Sequence, residues 1–396
     1  SLQTAFNDPD VQTVWFSNKT NSGTALFVIN GTLTIPVGKV LKFEAGNRLI
    51  GHGIITGGII DASMQSWIFG DSLTVNPRST SQGWVSAKWF GAVGAGGVDD
   101  QPMLQKAANA CIRNGLERLR IPQGNYTINQ PLILRGINYN FFTLDVSGET
   151  TFWGGGTQIT ANFNNTFAIG IHLGKGCKIR NLAIQGQFTP PALTNAFSWF
   201  SMPFEDFTDG VCRDEQYSPY AGIVIDPFTN LPGDNVPPDG GYPGLTDQYG
   251  SALPGAATQT GSSGITIEDV TVTRFVVGVL SSPNGKTRNA EMTLISRTKI
   301  QSCKLAISAG QDQEKDNVID NLTCWGGTHT VFGTNLYGIG KAENRAGNWY
   351  ISNVNIAGAV VRFISNIQNG WFPTYITNVY AESIGSFGSM YSTNSI

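Results

Sequence analysis

The chain has 396 residues, 13% of them charged, with 25 Lys and Arg against 28 Asp and Glu and a net charge of −3. An ordinary globular domain carries about 25% charged residues, so polarity here rests on Asn, Thr, Ser and Gln, which suit turns and β surfaces. No run of Lys or Arg offers a nucleic-acid footprint, and no apolar run reaches the roughly 18 residues of a membrane-spanning helix, so neither nucleic acid nor membrane insertion is expected. The five cysteines (Cys111, Cys177, Cys212, Cys303 and Cys324) are odd in number, contain no CxxC pair and read as buried thiols. His52, His172 and His329 lie far apart without ligand spacing, so no metal site is expected. No signal-peptide pattern is visible, and a chain beginning at Ser1 reads as a processed or partial product.

In chain order, residues 24–60 alternate apolar and polar positions (Leu33, Ile35; Val40, Leu41, Phe43; Ile54, Ile55; Ile59, Ile60) between Gly, Pro and Asn, a series of short strands with tight turns. The stretch from Lys88 to Ile128 holds a glycine-rich loop, the pair Asp99-Asp100 and the one convincing helix. Leu104, Ala107, Ala108, Cys111 and Ile112 fall on one apolar face, and Asn114-Gly115 ends it. The acidic pair is expected to satisfy free N–H groups at the helix start, with Pro102 in the first turn. The glycine loop fits neither GxGxxG nor GxxxxGK[ST], so it is not expected to hold a phosphate.

From about residue 170 a repeat emerges. Its unit is Ile, any residue, a polar residue, then Val or Leu, as in Ile179-Arg-Asn181-Leu182, Ile267-Glu-Asp269-Val270, Ile319-Asp-Asn321-Leu322, Ile351-Ser-Asn353-Val354 and Ile376-Thr-Asn378-Val379, with a degenerate copy at Ile295-Ser-Arg297-Thr298. The later copies recur every 24 to 32 residues, a spacing suited to solenoid coils. The Ile and Val positions are expected to face a common core. The Asn or Asp is expected at a bend, where it tolerates left-handed φ. The repeat is interrupted at about 188–262 by an insertion rich in Pro, Gly and aromatics.

Trp89-Phe90-Gly91-Ala92, the glycine loop, Asp99-Asp100, the helix, Ile121-Pro122-x-Gly124 and Tyr126-x-Ile128 together resemble the pectate-lyase-like right-handed parallel β-helix superfamily, in the manner of phage tailspikes and related depolymerases. The match continues through Gly156-Thr157-Gln158-Ile159 and the Cys177 to Leu182 strand. The resemblance implies an all-β solenoid over 87–396, a capping helix at about 100–114 and a strand-rich N-terminal segment at 1–86. It also implies a role on a bacterial surface polysaccharide, a homotrimer, contact with other virion tail or baseplate proteins and a location on the virion tail or outside the cell. Two other readings stay open: a secreted bacterial polysaccharide lyase or glycoside hydrolase, and a non-catalytic structural or adhesive β-helix.

Cleaving a glycosidic bond by acid–base chemistry needs two carboxyl groups about 5 Å apart for retention or roughly 6.5 to 9.5 Å for inversion, distances that stacked coils supply. Asp312 and Glu314 are two residues apart, and Glu291 lies about one short coil earlier, so Glu291, Asp312 and Glu314 form the catalytic expectation. Trp199, Phe200 and Trp325 are the expected glycan-stacking aromatics, with Trp349 as a further candidate. A second acidic cluster, Glu205-Asp206 to Asp214-Glu215, could bind a cation or sugar hydroxyls. No cofactor is expected, save Ca²⁺ if the chain is a lyase, which would need a basic proton acceptor such as Arg297, Lys299 or Lys304.

Overall fold

The computed structural model describes residues 1–17, 25–70, 72–136, 141–149, 155–189, 220–225, 261–281, 290–309, 316–328, 330–334, 348–358, 360–366, 374–382 and 384–390. The chain is a right-handed parallel β-helix, the architecture implied by the resemblance. Among the described residues every strand pairing is parallel, in ladders that climb from one coil to the next.

Each coil runs along three faces. Coil one uses Arg118–Arg120, Gly124–Ile128 and Leu132–Arg135, and coil two uses Asp145–Ser147, Thr157–Ala161 and Ile169–His172. From coil three onward the first two faces merge into one bent strand. These strands are Lys178–Gln185, Thr266–Thr273, Leu294–Gln301, Asn317–Trp325, Trp349–Ala357 and Thr374–Ala381. The third face continues as Ala221–Ile225, Val277–Ser281, Leu305–Ala309, Thr330–Thr334, Val360–Asn366 and Ile384–Met390. Residues 221–225 fall inside the stretch read as an insertion and supply the third-face strand of coil three.

The bend has one cause, repeated. Asn181, Asp269, Arg297, Asn321, Asn353 and Asn378 all have left-handed φ, between 45° and 56°. Each sits at the third position of the repeat, and the Ile two residues before it stacks in register: Ile179, Ile267, Ile295, Ile319, Ile351 and Ile376 form one column. An L-residue in this conformation costs roughly 1–2 kcal/mol, least for Asn and Asp, whose short polar side chains bond locally. The repeat is therefore a corner rule, and the buried Ile and Val on either side are its consequence.

The core extends beyond the repeat. Thr13–Phe16, Thr32–Phe43 and Ile54–Asp61 are also parallel, with one register shift between Ile35 and Val40, and ring contacts run Phe16 to Phe43 (4.7 Å), Phe43 to Phe69 (5.9 Å) and Phe69 to Phe90 (5.3 Å). One buried apolar cluster reaches from Phe6 to Ile364. Cys111, Cys177, Cys303 and Cys324 are buried free thiols, and burial holds each of those at 111, 303 and 324 well above the usual thiol range. No helix among the described residues is long and apolar enough to cross a membrane.

The helix Gln101–Asn114 buries the expected face, Leu104, Ala107, Ala108 and Cys111, and ends on the left-handed Gly115. It packs against the strands at 74–76 and 85–86 and against all three strands of coil one. Its clearest capping contact lies at the first strand of the third face. The Gln105 side chain donates to the Ile133 carbonyl (2.7 Å) and accepts from the Ile133 N–H (2.9 Å), standing in for a ladder neighbour. Gln101 adds a bond to the Pro131 carbonyl (2.9 Å).

The acidic pair divides its work differently from expectation. Asp99 accepts from the N–H groups of Gln101 and Asn129, both at 3.1 Å. Asp100 occupies the N-cap position but makes no side-chain cap bond. Its fully buried carboxylate instead accepts from Val93 and Gly94, turning the glycine loop back on itself. The loop's left-handed Gly94 helps bring those N–H groups close enough to engage the Asp100 carboxylate in place of the N–H groups of the helix end.

The third face of coils one to five is buried on both sides, because Ile133, Phe167, Ala221, Val224, Val277, Leu280 and Leu305 form a second apolar cluster apart from the main core. Among the described residues, the accessible strand surface of these coils therefore lies on the first two faces.

Two stability effects follow. Asn321→Val should lower stability by about 1–2 kcal/mol, because a β-branched residue resists the left-handed corner, while Asn321→Gly should be close to neutral; chemical denaturation measures both. Gln105→Ala should cost about 1–3 kcal/mol by leaving both Ile133 backbone groups unpaired, and hydrogen exchange at Ile133 should accelerate.

Candidate functional site

The ladder converts sequence positions into columns. On the first face, the outward column beside the bend reads Arg120, Ser147, Arg180, Glu268, Ser296, Asp320, Ser352 and Thr377. The column two residues earlier reads Arg118, Asp145, Lys178, Thr266, Leu294, Val318, Tyr350 and Tyr375. This strip brings together Arg118, Arg120, Asp145, Lys178, Arg180, Glu268 and Asp320 with the exposed rings of Tyr350 and Tyr375.

At its centre lies an ionic network. Arg297 donates to both oxygens of Asp269, each at 2.9 Å, and pairs with Glu268 at 2.8 Å. These contacts explain an arginine at a corner that elsewhere takes Asn or Asp. The paired carboxylates raise the Arg297 pKa, Asp269 foremost, so the guanidinium stays protonated. Arg180 is held the same way by Asp145, through two bonds.

Toward coil eight the strip becomes polar and aromatic. Asp320 accepts from the Ser352 hydroxyl (2.7 Å) and from the Asn353 amide (2.8 Å). These bonds, Ser352 first, hold its carboxyl below the usual aspartate range, helped by the charge of Arg297. Tyr350 and Tyr375 stack one coil apart, 5.1 Å between centroids at 7°, and stay 42% and 50% exposed. Asn348 donates to the Tyr350 hydroxyl (3.2 Å) and to Asp316 (3.0 Å).

Chemically, the strip can stack on a ring and exchange hydrogen bonds with hydroxyls. Glu268 and Asp320 are two ladder steps apart, about 9–10 Å, near the outer limit for an inverting pair. A general acid needs a raised pKa. Asp320 is shifted the other way, and Glu268 is committed to Arg297. Among the described residues no group of three or more His, Cys, Asp or Glu is placed to hold a metal ion. Calcium needs six to eight oxygens, and Glu268 and Asp269 spend theirs on Arg297.

Of the catalytic residues expected from sequence, Asp312 and Glu314 lie outside the described residues. Glu291 lies in the turn before the first-face strand of coil five, bridged to Ser263, its carbonyl accepting from Gly264 (2.9 Å). Of the expected glycan-stacking residues, Trp199 and Phe200 lie outside the described residues, as does the acidic cluster at 205–215. Trp325 lies at the end of the second face, 42% exposed, with the Lys299 ammonium 4.6 Å from its ring. Because Trp325 aligns with Gln301, ten residues after Glu291, the two sit at opposite ends of the bent strand. Trp349 is fully buried against Phe332 at 5.3 Å and belongs to the core. The sequence reading missed Tyr350 and Tyr375. Their signal was present: each lies immediately before the Ile of a repeat, an outward position by alternation.

No family model and no curated protein matches the chain. Solved structures similar to it include the Agl-KA catalytic domain (14% identity, TM-score 0.48, covering 78% of this chain and 45% of that one). Two others are the enzymatically active domain of bacteriophage CBA120 tailspike protein 2 (12%, 0.37, 78% and 42%) and PfbA, a surface adhesin of Streptococcus pneumoniae (13%, 0.32, 77% and 91%). The chain spans less than half the length of the first two. These are likenesses of fold alone, and the fold assignment stands on the ladder register.

Ser352→Ala should raise the Asp320 pKa toward the ordinary value of about 3.9, read from the carboxyl carbon in an NMR titration. The sign follows from linkage: a carboxyl lowered on folding adds stability above its unfolded value and loses it as pH falls through the folded one. The variant should therefore show less acid-dependent loss of stability than the parent.

Proposed function

We propose that the chain is a polysaccharide-binding β-helix of the phage tailspike type, which holds a bacterial surface glycan along its first face. The observation that carries this reading is the exposed, parallel Tyr350–Tyr375 stack beside the Asp320, Ser352 and Asn353 network. Exposed parallel rings offer apolar faces to pyranose C–H groups, and the adjacent carboxylate, hydroxyl and amide match sugar hydroxyls. A rigid strip of stacked strands suits an extended polymer better than a small metabolite, which favours a concave pocket. The tailspike reading adds a homotrimer on a virion tail or otherwise outside the cell. Recognition is the activity this strip supports, with Glu268 paired to Arg297 and Asp320 bonded to Ser352 and Asn353.

The test is a panel of capsular and O-antigen polysaccharides assayed both for binding and for new reducing ends or unsaturated uronates. Binding without new ends is expected. Tyr350→Ala with Tyr375→Ala should weaken it roughly tenfold, a loss of about 1.4 kcal/mol, with the circular dichroism spectrum unchanged. Solution mass should give a trimer, and a stable monomer would count against the tailspike assignment. Cleavage that persists in Asp320→Asn would place chemistry elsewhere on the chain.

A further inference from the structure

The same strip is electrically polarised along the solenoid axis. In coils one to three its outward residues are Arg118, Arg120, Lys178 and Arg180, against a single carboxylate, Asp145. The ladder places Arg118 two steps from Lys178, with Asp145 between them, and Arg120 two steps from Arg180, with Ser147 between them. The four cations thus mark the corners of a rectangle of roughly 6–7 by 9–10 Å. Asp145 is engaged by Arg180. Among the described residues, the side chains of Arg118, Arg120 and Lys178 make no hydrogen bond or ion pair. In coils four to six the sign reverses, with Glu268, Asp269 and Asp320 against Arg297 alone.

We infer that the rectangle of Arg118, Arg120, Lys178 and Arg180 is an oxyanion subsite, and that the glycan bound along this face carries isolated acidic substituents, carboxylate or phosphate, separated by uncharged sugars. The inference rests on the first face being the glycan-binding surface. Asp145 offsets one of the four charges; the remaining excess positive charge, held this close on a flat sheet, is self-repelling, and an anion above it relieves that repulsion. The reversed half excludes a polymer with a charge on every sugar, because such a chain would lay anions over Glu268, Asp269 and Asp320. From the rectangle to the tyrosine stack is about five to six ladder steps, roughly 26 Å. One oxyanion can therefore sit over the cations while uncharged sugars cross the carboxylates and reach the rings. The polarity also gives the bound polymer a direction, with its acidic group toward coil one.

The experiment sorts the polysaccharide panel into neutral glycans, glycans with sparse carboxylates, glycans with sparse phosphates and uniform polyuronates. Each is assayed on the full chain and on Arg118→Glu with Arg120→Glu, at low and high salt, beside a DNA oligonucleotide. Binding of a sparsely acidic class should exceed that of neutral glycans and polyuronates and fall about tenfold or more in the charge-reversed variant. It should also weaken with salt as screened exposed charges do. Preference for carboxylate or for phosphate identifies which oxyanion is read, and either supports the subsite. Neutral glycans binding equally well, with no effect of the variant, would overturn the subsite while leaving glycan binding intact. The same holds for polyuronates binding best. DNA binding more tightly than any polysaccharide would replace the inference with a nucleic-acid one. No binding in any class would sink the glycan-binding reading and the subsite together.

Discussion

One left-handed corner residue in each coil from the third onward holds the bent strands of this molecule in register. Where the polypeptide turns from the first face to the second, the corner must be taken by a residue that accepts positive φ, and the coils supply it at matched positions from Asn181 to Asn378. Once the corners align, parallel strands pair without slippage and the flanking Ile and Val positions fall into continuous buried columns. Outward residues are columned by the same operation, so the surface chemistry is a by-product of core registration. Arg297 shows how strong the constraint is. A residue poorly suited to the corner is kept there by two carboxylates of the preceding coil, which do locally what an Asn side chain would do alone.

Much of the fold is legible in the sequence because the corner rule is local. Ile-x-Asn-Val announces both the inward column and the bend, and the degenerate Ile295-Ser-Arg297-Thr298 still marks its coil. The helix is equally plain, since its apolar face and its Gly115 stop lie within one short stretch. What the helix does was less plain. An acidic pair before a helix predicts bonds to the helix end, yet the choice made by Asp100 depends on where the glycine loop brings Val93 and Gly94, a matter of three-dimensional closure.

The surface was the least legible part, for a reason built into solenoids. Arg118 and Lys178 are sixty residues apart in sequence and two ladder steps apart in space, so a sequence without a basic run still assembles a basic patch. Spacing alone does not place outward residues beside one another. A separation of about one coil brings two residues together only if both occupy the same column, and Glu291 lies in the turn before its strand rather than in one of the first-face columns. Tyr350 and Tyr375 were in plain sight, but an aromatic next to a core Ile reads as core until alternation assigns it outward.

The double burial of the third face bears on how such rods can pack side by side. Among the described residues of coils one to five, the outward side of one wall is already buried, so a neighbouring copy would meet these coils through the other two. A bundle gripping through the second face would leave the charged and aromatic wall outward on every member, repeated around the axis. A bundle gripping through the first face would hide it on all of them at once. Valency and access are thus set together by a single choice of wall, and the covered third side is what reduces that choice to two.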